Sequence, residues 1–193
     1  MTTDISIRLA DLRDSAAIAR VHIDSWKTAY RGIIPQSDLD SLSNTNREAW
    51  WRQTIQNGGS IVLVAETRNS ETGGKTIIGF VHGGANRSKE HAAVYAGELG
   101  SIYILEKYRG RGVGRTLVQS LAKSMMEHNF DSMLVWVLAK NPYRRFYETL
   151  GGEYVCSQQI QIGSNNFEEV AYGWRDITSL LSSLSNATGF GSP

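Results

Sequence analysis

The sequence predicts an α+β fold, an α/β three-layer arrangement whose mixed, mostly antiparallel central sheet has six to seven strands and about four helices. Three observations carry this. Short β-branched runs are separated by polar turns, as in an antiparallel meander. One strand passes through a glycine-rich turn into a helix at Val113, Leu117, Leu121 and Met125. The strand after that helix, Met133-Leu134-Val135-Trp136-Val137, is apolar throughout, the pattern of a strand covered on both faces.

The elements follow in order. Ile5-Ser6-Ile7-Arg8-Leu9 alternates apolar and polar side chains as a half-buried strand does. Asp11 or Asp14 then caps a helix running towards Tyr30, with Ile18, Val21, Ser25 and Ala29 on one stripe. Arg31-Gly32-Ile33-Ile34-Pro35 breaks it, and a second helical stretch covers Thr45 to Gln56 with Trp50 and Trp51. Ile61 to Ala65 and Thr76 to Val81 read as a hairpin across the polar segment Asn69 to Lys75. A third strand spans Tyr95 to Leu105. Asn141-Pro142 starts a short helix that Gly151-Gly152 stops near Leu150, because Pro suits a first helical turn and Gly an end. Strands near Tyr154 to Ile162 and Phe167 to Trp174 finish the sheet. Residues 1–178 are expected to form a single domain, and 179–193, rich in Ser, Asn, Thr and Gly, a flexible and functionally silent tail.

Composition excludes several classes. Lys+Arg 20 against Asp+Glu 19 leaves a net charge of +1, which argues against indiscriminate binding to nucleic acid or acidic membranes. No apolar run is long enough to span a bilayer, and the start lacks a secretory pattern. With Cys156 as the single cysteine no intrachain disulfide forms, so a reducing, cytoplasmic location is expected. His22, His82, His91 and His128 show no spacing of metal ligands, and no metal is expected.

The turn Lys107-Tyr108-Arg109-Gly110-Arg111-Gly112-Val113-Gly114-Arg115 concentrates four cations and three glycines where a strand hands over to a helix. Glycines leave backbone N–H groups uncovered there, and the positive end of the helix dipole adds to them, which makes a pocket for phosphate oxygens. The Walker pattern is absent. The dinucleotide pattern fails because Arg115 stands where its third glycine belongs.

The R-x-x-G-x-G turn after Ile102-Tyr103-Ile104 resembles the signature of the GCN5-related N-acetyltransferase superfamily. Glu98-Leu99-Gly100-Ser101-Ile102-Tyr103-Ile104 is similar to its fourth strand, and Asn141 through Gly151 to its second motif. Two positions depart: Glu106 replaces a common Pro, and Gly152 a common aromatic. The resemblance implies acetyl-CoA as cosubstrate and an N-acetyltransferase acting by direct attack of a primary amine in a ternary complex. It implies that Arg109, Gly110, Arg111, Gly112, Val113, Gly114 and Arg115 hold the diphosphate, that the N–H of Ile102 meets the acetyl carbonyl, and that the N–H of Ile104 meets the pantetheine arm. Such an N–H is worth roughly 2 to 4 kcal/mol of barrier in other oxyanion holes. Glu98 is implied as general base, directly or through a water; its alternative is an outward-facing strand residue paired with a cation. Tyr147 is implied as the acid that protonates the coenzyme A sulfur, a task suited to a phenol of pKa about 10; alternatively it is a core aromatic beside Phe146. Asn141 is implied in pantetheine binding or as a helix cap, and one of Arg144 or Arg145 in contact with the nucleotide phosphate.

The acceptor site is less defined. Trp26 and Tyr30, four apart on one helix face, line a pocket with Arg31 or belong to the core. A small polyamine, an antibiotic amine, an amino-acid analogue and a protein N-terminus all remain open as acceptor. The resemblance also implies a homodimer through the late strands. A non-catalytic acyl-CoA sensor is the alternative function, which the retained Glu98 and Tyr147 argue against. RNA binding ranks below it, because the cations are confined to one turn.

Overall fold

The computed structural model describes residues 5–68 and 73–186, so residues 69–72 of the polar segment and 187–193 of the expected tail lie outside the described residues, as do the side chains of 185 and 186. Seven strands are joined in the order β1 (Ile5–Leu9), β2 (Ser60–Arg68), β3 (Lys75–Ala85), β4 (Gly97–Ile104), β5 (Met133–Leu138), β7 (Asn165–Trp174), β6 (Glu153–Ile162). The described helices are α1 (Ser15–Ala29), α2 (Gln36–Asp40), α3 (Asn44–Asn57), α4 (Val113–Glu127), α5 (Arg145–Thr149) and α6 (Ile177–Asn186). Register is mixed: β1 on β2, β5 on β7 and β6 on β7 run antiparallel, while β4 runs parallel to β5. This is the α+β class expected, with six helices rather than about four.

The described chain forms two compact units. The first runs up to His82 and resumes over Ser101–Leu121; the second takes Gly83–Gly100 and everything from Ala122. In the first, α1 lays Ile18, Ala19 and Val21 against Trp51 of α3 and Val62, Val64, Ile77 and Phe80 of the strands. Asp11 supplies the side-chain cap ahead of α1, whose own N-cap, Asp14, makes no side-chain cap bond to it. The Asp11 carboxylate accepts from the Arg13 N–H at 2.8 Å and begins a single 3-10 turn, Leu12–Asp14. Asp14 completes the capping box by accepting from the Asp11 N–H at 2.8 Å, and it also forms a two-pronged pair with Arg8 of β1, at 2.7 and 2.9 Å. In the second unit, Tyr95, Leu134 and Ala171 form a small core with Trp136, Val155 and Cys156 packed on it.

Two expectations need correction, and one element was not foreseen. The helix expected from Asn141-Pro142 begins at Arg145, because residues 141–144 are taken up by turns in which the Asn141 and Tyr143 carbonyls accept from Arg144 and Phe146. The tail expected from residue 179 is helical through Asn186, since Leu180 and Leu184 recur at helical spacing and are both buried. Helix α2 escaped the sequence reading: its five residues are too short to show a period, although Pro35 sits at its start. No helix among the described residues is long and apolar enough to cross a membrane.

Candidate active site

The glycine turn lies in the first unit and is built as an open cradle. Gly110 and Gly112 hold φ of 72° and 79°, the left-handed region that favours glycine, and a Cβ on either would meet nothing within 4 Å. The ladder of α4 opens with the Thr116 N–H donating to the Gly112 carbonyl at 3.1 Å. The N–H groups of Val113, Gly114 and Arg115 therefore precede it and point out of the helix end. No acidic residue stands in the first turn of this 15-residue helix. Lys107 and Arg111 gather on the ring of Tyr108, at 4.9 and 5.6 Å from its centroid, a support absent from the sequence reading. Together these groups can hold a diphosphate.

Arg109 is placed differently from its cationic neighbours. Its Nε donates to the Ile104 carbonyl at 3.0 Å and its Nη2 to the Thr28 hydroxyl at 3.0 Å, tying the turn to the end of β4 and to α1. Ile102 and Ile104 are half-buried. The register of β4 on β5 covers Gly97↔Met133 to Leu99↔Val135, although β4 continues to Ile104.

The first unit also gathers Trp26 and Tyr30. Their rings meet edge-on at 5.1 Å, and the Trp26 indole N–H donates to the Tyr103 hydroxyl at 2.8 Å. His22 stacks on Tyr103 at 4.8 Å between centroids. Burial pushes the imidazole down to about 3, with the Arg47 and His82 charges adding in the same direction, so it is a neutral ring at working pH.

In the second unit Glu98 is 4% exposed. Gly97, Glu98 and Leu99 are all buried, so simple alternation did not reveal which way this carboxylate faces. Arg87 binds it three times: Nη2 to Oε1 at 2.5 Å, Nε to Oε2 at 3.2 Å and the main-chain N–H to Oε2 at 3.1 Å. Sequence reasoning missed Arg87, which is eleven residues away in a loop with no motif. Its guanidinium is pushed up by the Glu98 hydrogen bond. Burial raises the half-buried Glu169 carboxyl; the Gln158 hydrogen bond opposes this, Glu98 reinforces it and Arg87 opposes it.

Tyr147, also in the second unit, is 9% exposed and faces Tyr172 with centroids 6.2 Å apart. The Tyr172 hydroxyl donates to Glu148 at 2.6 Å. The Tyr147 carbonyl accepts from the N–H groups of Leu150 and Gly152 at 3.1 and 3.0 Å, and the Trp174 indole donates to the Leu150 carbonyl at 2.9 Å. Gly152 has a packing reason: a Cβ there would stand 2.8 Å from Trp174 Cζ2 and 2.9 Å from the Tyr147 carbonyl oxygen. Asn141 is not the cap of α5, whose N-cap is Arg144; its Oδ1 accepts from the Tyr143 N–H at 2.8 Å within the preceding turn. Arg144 is half-buried and Arg145 exposed. The structure thus brings Trp26, Tyr30, Ile104 and the glycine turn into one unit, and Glu98, Asn141 and Tyr147 into the other.

A cavity of about 680 Å³ in the first unit, lined by Arg8, Asp14, Arg20, Glu66 and Lys75 among others, includes none of these residues. Among the described residues no His, Cys, Asp and Glu side chains group as metal ligands.

Residues 77–160 match the FR47-like protein family model. The chain is 36% identical over 180 residues to the uncharacterized N-acetyltransferase YuaI of Bacillus subtilis (strain 168), covering 93% of this chain and 98% of that protein. It belongs to the GCN5-related N-acetyltransferase superfamily. Solved structures agree on the fold. PaiA N-acetyltransferase from Thermoplasma acidophilum, in complex with coenzyme A, aligns at a TM-score of 0.64 and 22% identity, over 86% of this chain and 98% of that one. YncA from Salmonella typhimurium, with acetyl-CoA, aligns at 0.62 and 22%, over 88% and 92%.

Proposed function

We propose that this superfamily member transfers the acetyl group of acetyl-CoA to a primary amine by direct attack in a ternary complex. The observation that carries this reading is the cradle at Gly110 and Gly112, open to solvent at the start of α4 and flanked by Lys107, Arg111 and Arg115. Acetyl-CoA supplies an activated acetyl thioester. The turn holds its diphosphate, with Arg109 setting the shape of the turn; Ile102 N–H polarises the acetyl carbonyl and Ile104 N–H steadies the pantetheine, joined by Asn141. Glu98 takes a proton from the acceptor ammonium, directly or through a water, and the amine nitrogen forms a bond to the carbonyl carbon. Tyr147 gives its proton to the sulfur as the carbon–sulfur bond breaks, and the second proton that the nitrogen loses on becoming an amide restores the phenol. Trp26 and Tyr30 line the acceptor pocket. The protein acts in the cytoplasm, which suits a chain with a single cysteine, and pairs as a homodimer through β6 and β7, where Tyr154 is 62% exposed.

Release of free thiol from acetyl-CoA over a panel of amines tests the activity. Tyr147→Phe should lower turnover far more than coenzyme A affinity, because it removes a proton donor and little binding surface. Equal losses in both would count against the role of Tyr147. No thiol release with any amine, alongside tight acetyl-CoA binding, would favour a sensor.

A further inference from the structure

Among the described residues two glutamates are buried almost completely, and they are held in opposite ways. Glu66, 3% exposed, is secured by several separate side chains: Arg8 at 3.0 Å, Ser6 at 3.3 Å and Lys75. The carboxylate of Glu98, a residue 4% exposed, takes every hydrogen bond found for it among the described residues from Arg87. A buried carboxylate without a partner is costly and tends to take up a proton, which would leave nothing to act as base.

Arg87 supplies that partner. Its main chain is pinned beside β4: the N–H of the preceding Asn86 donates to the Ala96 carbonyl at 2.9 Å, and the Asn86 side-chain amide to the Tyr95 carbonyl at 2.8 Å. The Ser88 N–H returns to Asn86 Oδ1 at 2.9 Å. The Arg87 side chain, in contrast, is 75% exposed. The cation therefore keeps most of its hydration while the anion has lost nearly all of its own. Its fork takes Oε1 and one side of Oε2, and a guanidinium cannot surrender a proton at working pH. Glu169 is the second carboxylate in range of Arg87, and Gln158 holds it at 2.7 Å.

We propose that Arg87 is the positioning residue of the transfer reaction: it keeps Glu98 an oriented anion ready to accept the proton of the incoming ammonium. The inference rests on the reading of Glu98 as base. It identifies the loop after β3, outside every motif of the superfamily signature quoted above, as a determinant of turnover.

The test compares Arg87→Ala, Arg87→Lys and Glu98→Gln by steady-state kinetics with the best amine of the panel. Arg87→Ala is expected to lower kcat by about tenfold or more, within the span of a general base's contribution, while KM for amine and for acetyl-CoA changes by less than about threefold. Arg87→Lys should recover most of the loss, and millimolar guanidinium should restore part of the activity of Arg87→Ala, a rescue that a purely structural role would not give. Wild-type kcat in Arg87→Ala overturns the inference, as does a loss confined to KM. Should Arg87→Ala fail to fold, Arg87→Gln, which is shorter and uncharged but keeps a polar amide on an unbranched stem, takes its place, and wild-type kcat there overturns the inference equally. Glu98→Gln separates the two levels. If it is inactive while Arg87→Ala is normal, only the positioning role falls; if it is fully active, the base assignment falls first.

Discussion

The indole N–H of Trp26 donates to the hydroxyl of Tyr103 at 2.8 Å, linking α1 to the one residue of β4 that lies between Ile102 and Ile104. A helix side chain thereby braces the strand whose main chain is assigned to the acetyl group and the pantetheine. Trp26→Phe keeps the ring and loses the donor, so it should cost about 1 kcal/mol and lower the melting temperature by roughly 2 to 4 °C. Thermal unfolding followed by circular dichroism checks this, and an unchanged melting temperature would show the bond to be idle.

Gly112→Ala separates the turn from the helix behind it. The space is open, so the penalty comes from φ of 79° alone, about 1 to 2 kcal/mol for an L residue. Relaxing that strain moves the N–H groups, and calorimetric titration with coenzyme A should show weaker binding. Gly114 lies inside α4, where alanine is the better helix former; Gly114→Ala should leave folding intact.

Gly152→Ala tests packing rather than φ. Its methyl would press on Trp174 at 2.8 Å and on the Tyr147 carbonyl oxygen at 2.9 Å, and overpacking of this kind costs about 1 to 3 kcal/mol. Urea unfolding should show that loss, together with a fall in turnover as Tyr147 shifts. Adding Trp174→Phe should recover part of it, since the two positions share one clash.

His22 makes stability depend on pH. Its value in the folded protein, about 3, lies below the ordinary 6.5, so the unfolded chain binds more protons between the two. Its contribution is fully present above 6.5 and is lost as pH falls towards 3, at up to about 1.4 kcal/mol per pH unit. In urea titrations from pH 7 to 4.5, His22→Phe should fall less steeply than wild type. Parallel curves would mean that His22 takes up its proton without unfolding.

Most of the fold was legible because its cues are local. The alternation from Ile5 to Leu9, the apolar run from Met133 and the glycine turn each announce themselves within a few residues. What stayed hidden was non-local or too short to be periodic. Arg87 meets Glu98 only because the loop after β3 folds back on β4. The role of Gly152 depends on Trp174, two strands later in the chain. The last helix was masked by its serines, although Leu180 and Leu184 supply its buried face.

Neither compact unit is one continuous stretch of chain. Strand β3 leaves the first unit at His82, and the chain returns to it only over Ser101–Leu121. During synthesis the first unit therefore lacks Tyr103, Arg109 and the glycine turn until the whole of Gly83–Gly100 has been made, and it is complete only when residue 121 has emerged. No single cut in the gene releases either unit whole. Chain order binds the fate of the phosphate cradle to that of Glu98 before any ligand is met.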